Sequence, residues 1–415
     1  MRMKTPPDRM WLRHFSDSLA TLLVCTVLLT LTGTAGAADW PQWRGPNRDG
    51  ISAEKGWVAA NPKLLWKANF GIGCSAFSVV GGQAFTMGNS DKDTGSVYCL
   101  DAKSGKILWQ HSYPSPLEPM MFEGGQCSTP TVDGDSVFAL GRQGQFFCLN
   151  KTTGAVLWSK DLPKDFSVAP MAKWGYCGSA LVLGNKVIIE VGATGASAVA
   201  FDKTSGKILW QSGDDAQSYG SPYAFMQDGK QCVAFFNAFG LVVRDAADGK
   251  EVLRYPWATQ HAINPTTPIV AEGKILISSG YGHGAALLPL GVADPKPIWE
   301  SKEMKTHMNS CVLWQGYLYG FDESTLTCME FATGTVKWQQ KGLGKGALTL
   351  ADGKLIIQTE DGALAIAEAS PEAYKELSKT PAVAKRTWVI PVLANGRIYT
   401  RNNTGEVACF DVSGK

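Results

Sequence analysis

Charge is scarce in this chain and nearly balanced: 18% of its 415 residues are Asp, Glu, Lys or Arg, and 39 basic side chains stand against 37 acidic ones. With a net charge of +2, no basic tail and no acidic tract, there is no electrostatic case for nucleic-acid binding. Helical periodicity is almost missing; its best stretch, SPEAYKELSK (370–379), predicts a single short helix at most. The ten cysteines include no CxxC and no adjacent pair, which excludes a CxxC zinc site, a CxxCH haem attachment and a disulfide between neighbouring cysteines. HExxH, a P-loop, GxSxG, and GxGxxG in a strand-turn-helix context are also absent, so Gly141 to Gly144 and Gly192 to Gly195 read as hairpin glycines.

Only one long apolar run exists, Leu19 to Leu31. Arg2, Lys4, Arg9 and Arg13 precede it and Ala35-Gly36-Ala37 follows, which predicts a secretory signal peptide over 1–37 cleaved after Ala37. It holds four of the basic and two of the acidic residues, leaving 35 of each in a formally neutral remainder. No later stretch reaches the roughly 20 apolar residues of a membrane helix. Cys25 lies inside the run and no cysteine follows the small residues, so no lipid anchor is expected, and the destination is periplasmic or extracellular.

What the sequence has in plenty is one phrase. VYCLDAKSGKILW (97–109), FFCLNKTTGAVLW (146–158), AVAFDKTSGKILW (198–210), LVVRDAADGKEVLR (241–254) and LTCMEFATGTVKW (326–338) repeat it, with degenerate copies at 286–299 and 364–377 and a truncated one, VACFDVSGK, at the end. The marks at Trp109, Trp158, Trp210, Arg254, Trp299, Trp338 and Leu377 are 39 to 52 residues apart, a unit of four short strands. An apolar strand runs into Asp or Asn, a Ser-Gly or Thr-Gly turn follows, and a second strand ends in Trp. Another strand pair lies upstream, as in STPTVDGDSVFALG (128–141) and SALVLGNKVIIEVG (179–192). Four antiparallel strands per unit predict an all-β, eight-bladed propeller over 63–415, with 38–62 as an arm resting on it through Trp40 and Trp43. Because the last phrase lacks its outer strand and LLWKANF with Trp66 lacks a partner, the two ends are expected to complete one blade.

The repeated residues read as architecture. Trp66, Trp109, Trp158, Trp210, Trp299 and Trp338 are plates for blade-on-blade contact, while Asp101, Asn150, Asp202, Asp245 and Asp411, with Gly105, Gly154, Gly206 and Gly334, hold the hairpin turns. Cys99, Cys148, Cys328 and Cys409 occupy the slot of Ala200 and read as small buried hydrophobes. Strand order places the Thr-Gly hairpins on one face and the irregular loops on the other. The longest loops follow Trp109 and Trp158. Candidate site residues therefore lie on the loop face: Cys74, Cys127 and Cys177, where three successive inner strands begin; the histidines His111, His261, His283 and His307; and the adhesive side chains Met120, Met121, Phe122, Trp174, Tyr176 and Tyr219.

The motif A-x-D-x-x-T-G-x-x-x-W resembles the tryptophan-docking signature of the pyrroloquinoline quinone (PQQ) repeat, and the chain is similar to quinoprotein-type eight-bladed propellers over nearly all of its length after residue 37. DWPQWRGPNRDG (39–50), WGYCGSALV (174–182) and SSGYGHGAALL (278–288) also resemble secreted PQQ-binding-like propellers. The resemblance implies either a non-enzymatic scaffold, of the kind represented by BamB in outer-membrane barrel assembly, or a PQQ- and calcium-dependent alcohol dehydrogenase. The enzymes carry a disulfide between adjacent cysteines and a Glu, Asn and Asp calcium set. Here the adjacent cysteines are missing, and Glu123, Asn264 and Asn309 are the only polar candidates for such a set. The favoured reading is a secreted binding or scaffold module, expected to be monomeric, with protein partners in the envelope and no assigned cofactor or metal. A quinone-dependent oxidoreductase is the alternative, and a carbohydrate binder using Trp174 and Tyr219 as stacking platforms stays open.

Overall fold

Residues 38–414 are described by a computed structural model; the predicted signal peptide lies outside the described residues. Eight sheets, each built on four antiparallel strands, follow one another along the chain, and one of them gains a fifth, parallel strand from the arm. Blade two shows the pattern: Thr131–Asp133, Ser136–Leu140, Gln145–Asn150 and Val156–Asp161, paired in sequence order. The first strands of the other blades are Ser78–Val80, Leu181–Leu183, Tyr223–Gln227, Ile269–Ala271, Val312–Trp314, Ala347–Ala351 and Val392–Ala394. Blade eight draws on both ends of the chain, because Lys63–Asn69 pairs antiparallel with Glu406–Asp411 and sets Trp66 opposite Cys409. The middle strands are buried almost throughout while the outer strands alternate exposed and half-buried, so the cores lie between blades.

The repeated phrase builds those contacts. Asp101, Asn150 and Asp202 accept at Oδ1 from the backbone N–H and hydroxyl three residues on, at 2.6–3.1 Å. The outer-strand Trp66, Trp109, Trp158, Trp210 and Trp299 then each lie over the turn glycine of the next blade: Gly105 and Gly206 have φ near +70°, and a Cβ on either would stand 2.7 Å from the ring of Trp66 or Trp158. The indole N–H groups of Trp109, Trp158, Trp210, Trp299 and Trp338 donate to backbone carbonyls of the following blade at 2.8–3.1 Å. Cys99, Cys148, Ala200, Cys328 and Cys409 sit directly across from the Trp of their own blade. A bulge skips the residue before each of these Trp, which leaves Leu65, Leu108, Leu157 and Leu209 exposed.

Three sequence readings are corrected. Glu376–Pro381, which overlaps the end of the 370–379 stretch expected to hold at most one short helix, is the outer strand of blade seven, since pairing with Ala363–Glu368 overrides local helix propensity. Where Trp is replaced, the docking slot lies one residue from the mark read in the sequence: Leu253 rather than Arg254 faces Val243, and Ser378 rather than Leu377 faces Ile366, the bulge again skipping the residue just before each. His111 lies in the outer strand Ile107–Pro114, not in a loop. Among the described residues the α-helix is the single turn Leu162–Phe166, started by the Asp161 side chain and Pro163.

The arm runs along the axis and reaches the inner side of all eight blades. Trp40 exchanges two backbone hydrogen bonds with Val79, and Pro41 O accepts from Val132 N. Arg48 donates to the carbonyls of Ala180 and Pro222, Trp43 Nε1 to Thr267 Oγ1, and Arg44 to Cys311 O. Ile51–Ser52 pairs in parallel with Leu350 and Ala351, and Ser52 Oγ donates to Leu393 O. Arg44 and Arg48 are buried, and the loss of hydration lowers both pKa values, Arg48 to about 9.

Candidate functional site

The turn preceding each first strand fixes the geometry of the mouth. Ala76 N donates to Thr129 Oγ1, Thr129 N to Ser179 Oγ, Ser179 N to Ser221 Oγ and Thr267 N to Ser310 Oγ, tying blade to blade at 2.8–3.2 Å. Two residues before each link, and four before each first strand, a side chain turns to the axis. At that place stand Cys74, Cys127, Cys177, Tyr219, Pro265, Met308 and, in blade eight, Trp388; all seven line one bowl of about 160 Å³, and Trp43 of the arm completes it. The counterpart in blade seven, Leu343, is buried in the core beside blade six instead. The longer loops add Phe122, Trp174, Tyr281, His307 and Asn309, and no Lys, Arg, Asp or Glu lines the bowl.

Of the residues expected from sequence, Cys74, Cys127, Cys177, Trp174, Tyr219, His307 and Asn309 are thus brought together, with Phe122. Trp174 and Tyr219 meet edge to face at 5.8 Å, and His261 stands against the other side of Trp174 at 6.3 Å, outside the bowl. His307 Nδ1 lies 2.9 Å from Glu323 Oε2 and 2.9 Å from Lys345 Nζ, and its hydrogen bond is the main cause that brings the Glu323 carboxyl down to about 2. His283 stands over Trp257 at 4.2 Å in a separate cavity with Glu300 and Lys302. His111 packs on Phe147 at 4.7 Å, and burial lowers its pKa. Tyr176 is buried with its hydroxyl on Val191 O. Met120 and Met121 are exposed outside the bowl, Met121 at 80%.

The implied calcium and quinone do not fit these residues. Asn264 is buried and fully engaged, donating to Asn237 O and Trp257 O and accepting from Ser279 and Thr259. Glu123 accepts from Asn403 and faces Arg386, while Asn309 donates to Trp388 O, so the three polar candidates serve separate contacts. Among the described residues no group of three or more His, Cys, Asp or Glu could hold a metal ion. A tricarboxylate quinone needs cationic partners, and the lining supplies no Lys or Arg.

Pro265, Met308, Trp388 and Trp43 escaped sequence reasoning, although alignment of the units four residues ahead of each first strand brings the first three into register with the cysteines. No described helix is long and apolar enough to cross a membrane.

Comparison with known proteins agrees with this architecture. A family model described as outer membrane protein assembly factor BamB matches residues 93–340, more than half of the chain. BamB from Moraxella catarrhalis is similar in structure, with a TM-score of 0.64 and 17% identity, over 85% of this chain and 100% of that one. Quinohemoprotein alcohol dehydrogenase from Comamonas testosteroni gives 0.67 and 13%, over 92% and 82%. A europium-containing methanol dehydrogenase gives 0.69 and 12%, over 90% and 98%. No curated protein matches in sequence.

Proposed function

We propose, from the premise that the chain belongs to the family of outer membrane protein assembly factor BamB, that it is a non-catalytic binding module of the cell envelope whose axial bowl receives an apolar, aromatic-bearing segment of a partner protein. The observation that carries this reading is the lining: aromatic and sulfur side chains held by a rigid ring, with no charged residue among them. Such a concavity gains by desolvating apolar groups and supplies few polar groups to orient a reaction. Export through removal of residues 1–37 belongs to the same proposal.

Calorimetric titration of the purified protein with peptides that differ only in aromatic content tests the reading. The aromatic peptides are expected to bind, and Tyr219→Ala or Trp174→Ala to weaken them about tenfold or more with melting little changed. Equal binding of peptides with and without aromatics, or by parent and variants, would overturn it. Titration with PQQ, with and without calcium, followed by a dye-linked assay with simple alcohols, addresses the oxidoreductase alternative; calcium-dependent binding with turnover would restore that reading.

A further inference from the structure

Three of the residues around the bowl are cysteines, and they are consecutive. Gly73 and Gln126 form a parallel bridge and Cys74 N donates to Gln126 O at 2.8 Å, so Cys74 and Cys127 are neighbouring rungs across the junction of blades one and two. Cys177 holds the same place in blade three, on the other side of Cys127, and lines the same bowl; the Cys127 thiol lies 3.6 Å from Gly125 O and the Cys177 thiol 3.9 Å from Trp174 O. All three are free, half-buried and open to the bowl.

We infer that this trio is a thiol–disulfide exchange centre, in which Cys127 attacks an aliphatic disulfide presented at the bowl and either Cys74 or Cys177 resolves the mixed disulfide. The inference does not depend on the docking proposal, and it replaces the non-catalytic part of that reading for the bowl. The electrostatics suit the roles. The neighbouring Cys177 and Cys74 thiols, with the nearby Arg142 guanidinium, hold Cys127 well below the ordinary thiol pKa, whereas both neighbours are raised well above it. Arg142 is 1% exposed, and its Nε and Nη1 have no hydrogen-bond partner among the described residues, although Glu118 Oε2 lies 3.8 Å from Nε. A thiolate is the nucleophile in such exchange, and a neighbouring thiol converts a mixed disulfide into an internal one.

The reaction balances without another reagent. The Cys127 thiolate bonds to one sulfur of R–S–S–R′, and R′–S⁻ leaves and takes a proton. Cys74 or Cys177 then gives up its proton and attacks the Cys127 sulfur, and R–S⁻ departs with that proton. Two protein thiols become one disulfide, and the substrate disulfide becomes two thiols.

The test uses the reduced full-length protein with oxidised glutathione in one arm and a short cystine-bridged peptide carrying aromatic residues in the other, followed by free-thiol assay and peptide mass mapping. Two thiols are expected to disappear as a single bridge from Cys127 to Cys74 or Cys177, with two substrate thiols released. Cys127→Ser should slow the reaction about a hundredfold, and Cys74→Ser/Cys177→Ser should stop at a mixed disulfide on Cys127, with circular dichroism confirming that both variants fold. Unaltered kinetics in folded Cys127→Ser, modification spread over other cysteines, or no reaction with either probe would overturn the inference.

Discussion

Seven of the nine described cysteines occupy two positions of one repeat and behave as two different residues, Cys232 and Cys311 lying elsewhere. In blades one, two, six and eight, Cys99, Cys148, Cys328 and Cys409 lie fully buried across from the docking Trp, where burial pushes Cys99 and Cys409 up to about 12 and Cys328 to about 11. At the mouth, Cys74, Cys127 and Cys177 border open space side by side. The interior position is enclosed by its own blade and the next, so volume is what counts and Ala200 serves as well. The mouth position is enclosed from one side only, and Cys, Tyr, Pro, Met and Trp all occur there. Repetition is therefore imposed where blades press together, and individuality is allowed where they do not.

Removing a piece of the interior should break the comparison most severely. Deletion of 63–70 takes away the outer strand that pairs with Glu406–Asp411, together with Trp66, and is expected to abolish cooperative folding. A truncated protein that melts like the parent would show that blade eight does without it. The next largest effect is expected from Trp158→Ala, which strips the plate over Gly206 and the bond to Lys203 O, at a cost of about 3 kcal/mol in denaturant unfolding. A loss as small as that of a surface substitution would assign the signature Trp no structural weight. Cys148→Ala, copying the natural residue of blade three, should cost about 1 kcal/mol or less. A larger loss would mean that the interior cysteine does more than fill space.

The same contrast explains how much the sequence discloses. Asp101, Gly105 and Trp109 are legible because turn and docking geometry demand those residue types, and five close copies make the period visible. Where the plate is lost, at Leu253 and Ser378, no Trp marks the slot and the phrase alone misplaces it by one residue. The 370–379 stretch shows the reverse failure: it carries helix-forming residues, yet the ladder offered by Ala363–Glu368 decides its conformation. At the mouth the cysteines, Trp174, Tyr219, His307 and Asn309 were visible, whereas Pro265, Met308 and Trp388 were not, since they share a position with the cysteines and no chemistry. The course of the arm was hidden as well, because the contacts of Arg44 and Arg48 with the blades are made to main-chain carbonyls, and a carbonyl is the same for every residue.

The smallest expected effect sharpens the comparison from the side of the mouth. Glu323 is half-buried beside His307 and Lys345, and its pKa falls to about 2. A depressed carboxyl contributes stability that is complete above its unfolded value and disappears as pH falls through its folded value. The difference in melting temperature between the parent and Glu323→Gln should therefore be steady above about pH 5 and shrink between about 4.5 and 2. Partial exposure keeps this difference below the effect of Trp158→Ala at every pH. If Glu323→Gln proved as damaging as the loss of a docking Trp, the ion cluster at the mouth would belong to the architecture, and the boundary drawn between blade interior and bowl would have to move outward to include His307.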